Sequence, residues 1–193
     1  MHTINMENEI NKAVELLRKG KVILYPTDTI WGIGCDATQP KAVEKVYKIK
    51  MRPGEKKQAI ILLDNIDKIE RYVKKVPEVT RDLIEQSPGP LTIIFEGGKN
   101  VAKNVLSEGG NIAIRIVKGD FCVEVIKRLG KPIVSTSANI SGEDAPIVFS
   151  EISNEIISKV DYVVNVHRER INSVKASTII KLETNNSFTI IRP

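Results

Sequence analysis

Apolar residues at Ile10, Ala13, Val14 and Leu17 follow the spacing of an amphipathic helix, and Gly20 stands where such a helix closes. The pattern then changes. "KVILYP" is a short apolar run stopped by Pro26 and predicts a strand; beyond a loop, Val43, Val46 and Tyr47 return to helical spacing behind Pro40. "AIILL", residues 59–63, predicts a fully buried strand, and "IDKIERYVKKV" and "PEVTRDLIEQ" predict two amphipathic helices separated by Pro77. Past the breaker "SPGP", strands are predicted at 91–95, 112–117, 133–135, 162–166, 178–182 and 188–191, and helices at 121–129 and 151–160. The last two strands flank "ETNNS", a hairpin-like turn. Strands alternating with helices, plus a terminal hairpin, predict an α/β domain around an open, twisted, mixed sheet flanked by helices.

Composition narrows the class. A chain of 193 residues, 41% hydrophobic, supports one sizeable core, and with no repeat, low-complexity segment or linker it reads as a single domain over 1–193. The 29 Lys and Arg against 24 Asp and Glu give +5, which tolerates polyanionic partners without demanding them. Cys35 and Cys122 lack metal-binding or redox spacing, so neither a disulfide framework nor a zinc site is indicated and a reduced, cytoplasmic setting is expected. The N-terminal stretch is interrupted by Glu7, Glu9 and Glu15, and no apolar run reaches the roughly 18 residues of a membrane span. No membrane partner is expected.

Four stretches carry residue types suited to polar ligands. "YPTDTIWGIG" places Thr27, Asp28 and Thr29 at the end of a strand, with Gly32 and Gly34 allowing close backbone approach; taken alone, it reads as an ordinary strand exit. "KIKMRPGEKKQ" crowds Lys48, Lys50, Arg52, Lys56 and Lys57, either a solvated turn favoured by the helix dipole or an anion site. "PIVSTSANISG" empties a strand into Ser135, Thr136, Ser137, Asn139 and Ser141, a density of hydroxyls and amides that a turn does not require. In "NIAIRIV", Arg115 interrupts an apolar strand and has to reach water or meet an anion, because an isolated buried charge is costly. There is no P-loop and no GxGxxG. His2 and His167 are the only histidines, which speaks against a histidine-dependent triad.

Taken together, "YPTDTIWGIGCDA", "KIKMRP", "PGPLTIIF", "NIAIRI", "STSANISG" and "ASTII…IIRP" resemble, in order and spacing, the YrdC-like threonylcarbamoyl-AMP synthase family over nearly the whole chain. The pairing of Lys50-Met51-Arg52 with Ser137-Ala138-Asn139 is its specific element. The resemblance implies an open α/β fold around a large basic cavity. It implies condensation of L-threonine, bicarbonate and ATP, with Mg2+ accompanying the ATP, into threonylcarbamoyl-AMP and pyrophosphate for tRNA modification. It assigns Lys50 and Arg52 to catalysis, Arg52, Asn111, Ser137, Asn139, Ala145 and Arg192 to ATP, and Thr29, Arg115 and Ser135 to threonine. Lys56 is expected to reach the ATP phosphates as well, and no protein-held metal is expected, because no carboxylate cluster at ligand spacing is visible. Adenylation needs the charge developing on pyrophosphate to be neutralised, a task suited to clustered cations. Three positions depart from the family pattern: Lys56 stands where Arg-Pro-x-x-Asn-Pro-Leu has asparagine, Ile61 where some members have histidine, and Trp31 where tyrosine is usual. The C-terminal domain of longer members is not expected. A tRNA or a tRNA-modification enzyme is the expected macromolecular partner; the competing reading is a binding module for double-stranded RNA or tRNA, or a paralogue of the fold with another activity.

Overall fold

The computed structural model describes residues 2–50, 59–169 and 176–193. Its centre is a mixed sheet whose described strands lie in the order β7-β1-β2-β6-β3-β5-β4-β8-β9, built from β1 (Ile23–Tyr25), β2 (Gly32–Asp36), β3 (Ile60–Leu63), β4 (Leu91–Phe95), β5 (Ile112–Ile116), β6 (Ile133–Ser137), β7 (Tyr162–Val163), β8 (Thr178–Leu182) and β9 (Phe188–Arg192). The neighbours β1/β7, β3/β5 and β4/β8 are parallel; the other pairs are antiparallel.

Strand alternation sorts the side chains into two cores. Ile23, Tyr25 and Leu62 point to one face, where α1 (His2–Arg18) and α4 (Asp120–Leu129) bring Leu17, Phe121 and Val125 against them. Leu24, Ile33, Ile61, Ile93 and Ile114 point to the other, against α2 (Pro40–Ile49), whose Val43 and Val46 are fully buried. Two short helices, α3 (Thr80–Glu85) and α5 (Asn154–Lys159), complete the described set. Ser153 caps α5 by accepting from the Ile156 amide.

The open α/β sheet flanked by helices agrees with the sequence pattern, whereas several boundaries do not. The stretch 66–76 forms only a 3-10 turn over Ile66–Arg71. Beyond it, the Tyr72 carbonyl accepts from the Lys99 amide and the Lys74 amide donates to Gly97, so a lateral contact replaces continued helix. The helix expected at 77–86 shortens to α3, and that expected at 151–160 divides into a 3-10 turn, Phe149–Glu151, and α5. The strand expected at 162–166 ends at Val163, because the Asn165 amide donates to the Glu9 carboxylate on α1 rather than to a strand. Conversely, Gly32–Asp36, read as a loop, is a fully buried strand. A Cβ at Gly34 would lie 2.0 Å from the Val134 carbonyl oxygen and 2.9 Å from the Tyr25 ring, so glycine is what lets β2 pack there.

Candidate functional site

The face bearing α1 and α4 is not covered over its whole width. Ile60 and Leu62 of β3, Ala113 and Arg115 of β5 and Ile94 of β4 line a cleft of about 450 Å³ beside the helices. Its polar walls come from the loop after β1, from β6, and from the chain on either side of β8 and β9, which bring in Thr29, Ser135, Ser137, Ala145, Ser177 and Arg192. Among the described residues its lining cations are Arg115 and Arg192, set in a largely apolar wall. Arg52 and Lys56 lie outside the described residues.

Arg115 is 6% exposed and meets an anion, one of the two outcomes its place in an apolar strand allows. Nη2 donates to Asp28 Oδ1 at 3.1 Å and Nη1 to Thr29 Oγ1 at 3.0 Å, while Nε is buried without a partner. The hydroxyl polarity of the loop follows. Thr27 Oγ1 donates to the Ile30 carbonyl at 2.7 Å and accepts from the Thr29 amide, so in the 3.0 Å pair with Thr29 Oγ1 it is Thr29 that donates. Thr29 therefore accepts from Arg115 and passes its proton to Thr27. Asp28 Oδ2 accepts from the Lys118 amide at 3.2 Å, so both carboxylate oxygens are engaged.

Arg192 approaches from the terminal strand. Its Nε and Nη2 donate to the Ser177 carbonyl at 3.2 and 2.6 Å, and the Ser177 hydroxyl pairs with Thr92 Oγ1 at 2.7 Å. Burial, and then repulsion by Arg115, lower the Arg192 pKa from its ordinary value. Two guanidinium groups therefore face the same space, with Asp28 as the counter-charge of one.

Lys50 takes a different position. It closes α2, is 0% exposed, and donates to the Ser137 carbonyl at 2.7 Å, to Asn139 Oδ1 at 3.0 Å and to the Asn139 carbonyl. Its own carbonyl accepts from the Ser141 amide. The ammonium thus binds the loop leaving β6 to the end of α2, because a buried cation needs every proton accepted. Asn139 is likewise committed, its amide donating to the Ile140 and Glu143 carbonyls. Lys48, by contrast, pairs outward with Glu44 at 2.7 Å, a solvated ion pair.

Thr29, Arg115, Ser135, Ser137, Ala145 and Arg192 are thus brought to one cleft. Lys50, Asn111 and Asn139 are not among its lining residues: Lys50 and Asn139 hold the adjoining loop, and Asn111 precedes β5, where its amide donates to the Ser107 hydroxyl. Asp28, legible in the sequence as a polar group of the strand-end loop, is the partner of Arg115, whereas Thr92 and Ser177 carry no role readable from the sequence. A polar residue at an alternate position of "LTIIF" was the available signal for Thr92, which sits directly across from Arg115 in the sheet. No group of three or more His, Cys, Asp or Glu side chains able to hold a metal occurs among the described residues. Cys35 and Cys122 are buried, and burial raises both thiols well above the ordinary value. Trp31, fully buried, forms another part of the cleft wall; its ring centroid lies 5.0 Å from that of Phe149, and Arg168 stacks on Phe149 at 4.5 Å.

The family model Sua5_yciO_yrdC, described as "Telomere recombination", matches residues 15–193. The chain belongs to the Sua5/YciO/YrdC family. A family relative from Pseudoalteromonas translucida (strain TAC 125), named threonylcarbamoyl-AMP synthase, is 33% identical over 162 residues, covering 82% of this chain and 86% of its own. The crystal structure of P. abyssi Sua5 complexed with L-threonine matches with a TM-score of 0.81 at 26% identity, over 95% of this chain and 53% of that one. This chain therefore spans about half the length of that Sua5. E. coli YciO matches with the same TM-score, 0.81, at 26% identity, over 95% of this chain and 87% of its own.

Proposed function

We propose that this member of the family is an L-threonylcarbamoyladenylate synthase, joining L-threonine, bicarbonate and ATP into threonylcarbamoyl-AMP with release of pyrophosphate and water. The observation that carries the reading is the Arg115 guanidinium, fixed by Thr29 and Asp28 in the wall of a concave cleft that Arg192 also faces. A planar guanidinium suits a carboxylate, and Arg115 would take that of threonine, with Ser135 beside it. Arg192, together with Arg52 and Lys56, would offset the phosphate charge that grows as pyrophosphate departs. Lys50 serves this chemistry by holding the loop that carries Ser137, and Ala145 adds backbone to the nucleotide wall. Magnesium would travel with the ATP phosphates, since magnesium sites commonly rest on phosphates and water and both Asp28 oxygens are already engaged.

The product would feed threonylcarbamoyladenosine formation on tRNA through an accepting enzyme. An RNA-tracking module would need a broad face of cations, whereas the lining of this cleft is concave and mainly apolar. Incubating the protein with ATP, bicarbonate and isotope-labelled threonine, and following pyrophosphate and the labelled adenylate by mass spectrometry, tests the reading. Bicarbonate- and threonine-dependent pyrophosphate release is the expected result. Salt-sensitive RNA binding without adenylate formation would replace it with the RNA module.

A further inference from the structure

We infer that Asp28 is the positioning residue of this site: it does not touch the ligand, but sets the angle and the net charge of the Arg115 guanidinium that does. The inference rests on the reading of Arg115 as the carboxylate-binding group. Asp28 is absent from the cleft lining, while the residues on both sides of it, Thr27 and Thr29, are in it. Its side chain turns away from the cleft and bridges two elements. Oδ1 accepts from Arg115 Nη2 at 3.1 Å, and Oδ2 accepts from the Lys118 amide at 3.2 Å, at the entrance to α4.

The packing around Asp28 supports this bridge independently of the hydrogen bonds. Gly119, which follows Lys118 and is the N-cap of α4, has an ordinary backbone conformation, φ −76° and ψ 130°, that any residue adopts. What constrains it is space, since a Cβ there would lie 3.3 Å from the Asp28 nitrogen and 3.5 Å from its Cβ. The absence of a side chain at 119 lets the loop after β1 settle on the start of α4, bringing the carboxylate to the Lys118 amide.

The consequence for Arg115 is a guanidinium gripped at both terminal nitrogens. Thr29 accepts from Nη1 while its own proton goes to Thr27, which leaves a lone pair directed at the guanidinium; Asp28 accepts from Nη2. Two acceptors on one planar group fix its plane as well as its position. The charge count matters too. Arg115 and Arg192 are close enough that the first lowers the pKa of the second. Asp28 reduces their joint charge from two to one, so the fold can hold Arg115 at low exposure before any ligand arrives. Without it, a buried cation would swing toward water or recruit a stray anion.

Asp28→Asn tests this, because an amide offers one accepting oxygen where the carboxylate uses two, putting an NH2 group against either Arg115 or the Lys118 amide and removing the negative charge. The first readout needs no ligand: the buried Arg115 Nε–H, its resonance assigned by its loss in Arg115→Lys, should exchange slowly with water in the native protein and at least about tenfold faster in the variant, as its shelter loosens. The second is steady-state kinetics, where the threonine KM should rise by on the order of 10- to 100-fold, as expected for a misplaced binding group, with the ATP KM within about twofold of native. Gly119→Ala, which pushes on Asp28 without changing its charge, should move both readouts in the same direction by less, and serves if Asp28→Asn does not fold. A purely structural Asp28 would lower the melting temperature while leaving Nε–H exchange and the KM ratio unchanged, and that result overturns the inference. Faster Arg115 Nε–H exchange in Asp28→Asn, with a native protein that makes no threonylcarbamoyl adenylate, would overturn the proposed reaction and leave the positioning role standing.

Discussion

Arg115 and Arg192 face one cleft but are secured in opposite ways, and that difference separates their roles. Arg115 is buried and paired with a carboxylate, whereas Arg192 rests on the Ser177 carbonyl and keeps uncompensated charge. Replacing Arg115 by alanine should therefore weaken threonine binding first and ATP binding less; Arg192→Ala should do the reverse. Loss of one preorganised donor to a developing anion costs about 100- to 1,000-fold in turnover, so Arg192→Ala should also lose activity on that scale. Calorimetry with threonine and with a non-hydrolysable ATP analogue separates the two losses. Equal losses of both ligands in both variants would mean that the arginines do not divide the substrates between them. Lys50 shows why residue type alone is an incomplete guide, since a lysine in a cationic run can be turned wholly inward onto carbonyl oxygens.

Within the elements, glycine carries information that composition conceals. Gly34→Ala would drive a methyl group to within 2.0 Å of the Val134 carbonyl oxygen, and overpacking of this kind costs about 1–3 kcal/mol or more. Thermal melting should show the fall, together with loss of the β2–β6 pairing that supports Ser135 and Ser137. The same glycine explains what the sequence left illegible. Short apolar runs identified β1, β3, β4, β5, β6, β8 and the exposed β9, and helical spacing identified α1, α2 and α4; apart from β9, those signals come from burial. In "GIGCD" the small residues answer to the Tyr25 ring crossing them, a partner nine residues earlier that no local pattern reveals. At the site, Thr29, Ser135 and Arg115 were legible as polar groups at strand ends, while the Asp28–Arg115 pair spans 87 positions and needed the fold. Asp36, buried at the end of β2, gives this region a pH dependence. Burial acts to raise its pKa, but the Thr38 hydroxyl and amide, Gln39 and Lys131 outweigh it, and the net shift is downward. A depressed folded-state pKa adds stability that is full above the unfolded value, near 3.8, and is lost as pH falls through the folded one. Denaturant midpoints should hold steady from neutrality to about pH 5 and then drop, and Asp36→Asn should flatten the drop.

For the molecule as a whole, the two ends of the sheet are finished differently. β7 is only two residues long and tied to α1 through Tyr162 and Glu9, a blunt edge. β9 presents five residues, with Phe188, Ile190 and Ile191 at 50%, 59% and 57% exposure. A long apolar edge is a template for unwanted strand pairing, and a lysine is the usual guard. Ile190→Lys should accordingly reduce aggregation on concentration, read by light scattering, while changing the melting temperature little; unchanged scattering would show that the edge is harmless. The half-covered sheet that creates the cleft has one more consequence. The chain's single tryptophan, Trp31, is a lining residue of the cleft whose fully buried side chain belongs to the core on the α2 face, where its indole leans on Phe149, itself stacked by Arg168. Its emission is a resident optical probe of the junction between cleft and core: filling the cleft should shift it, and a fluorescence titration of the unlabelled protein with substrate checks this.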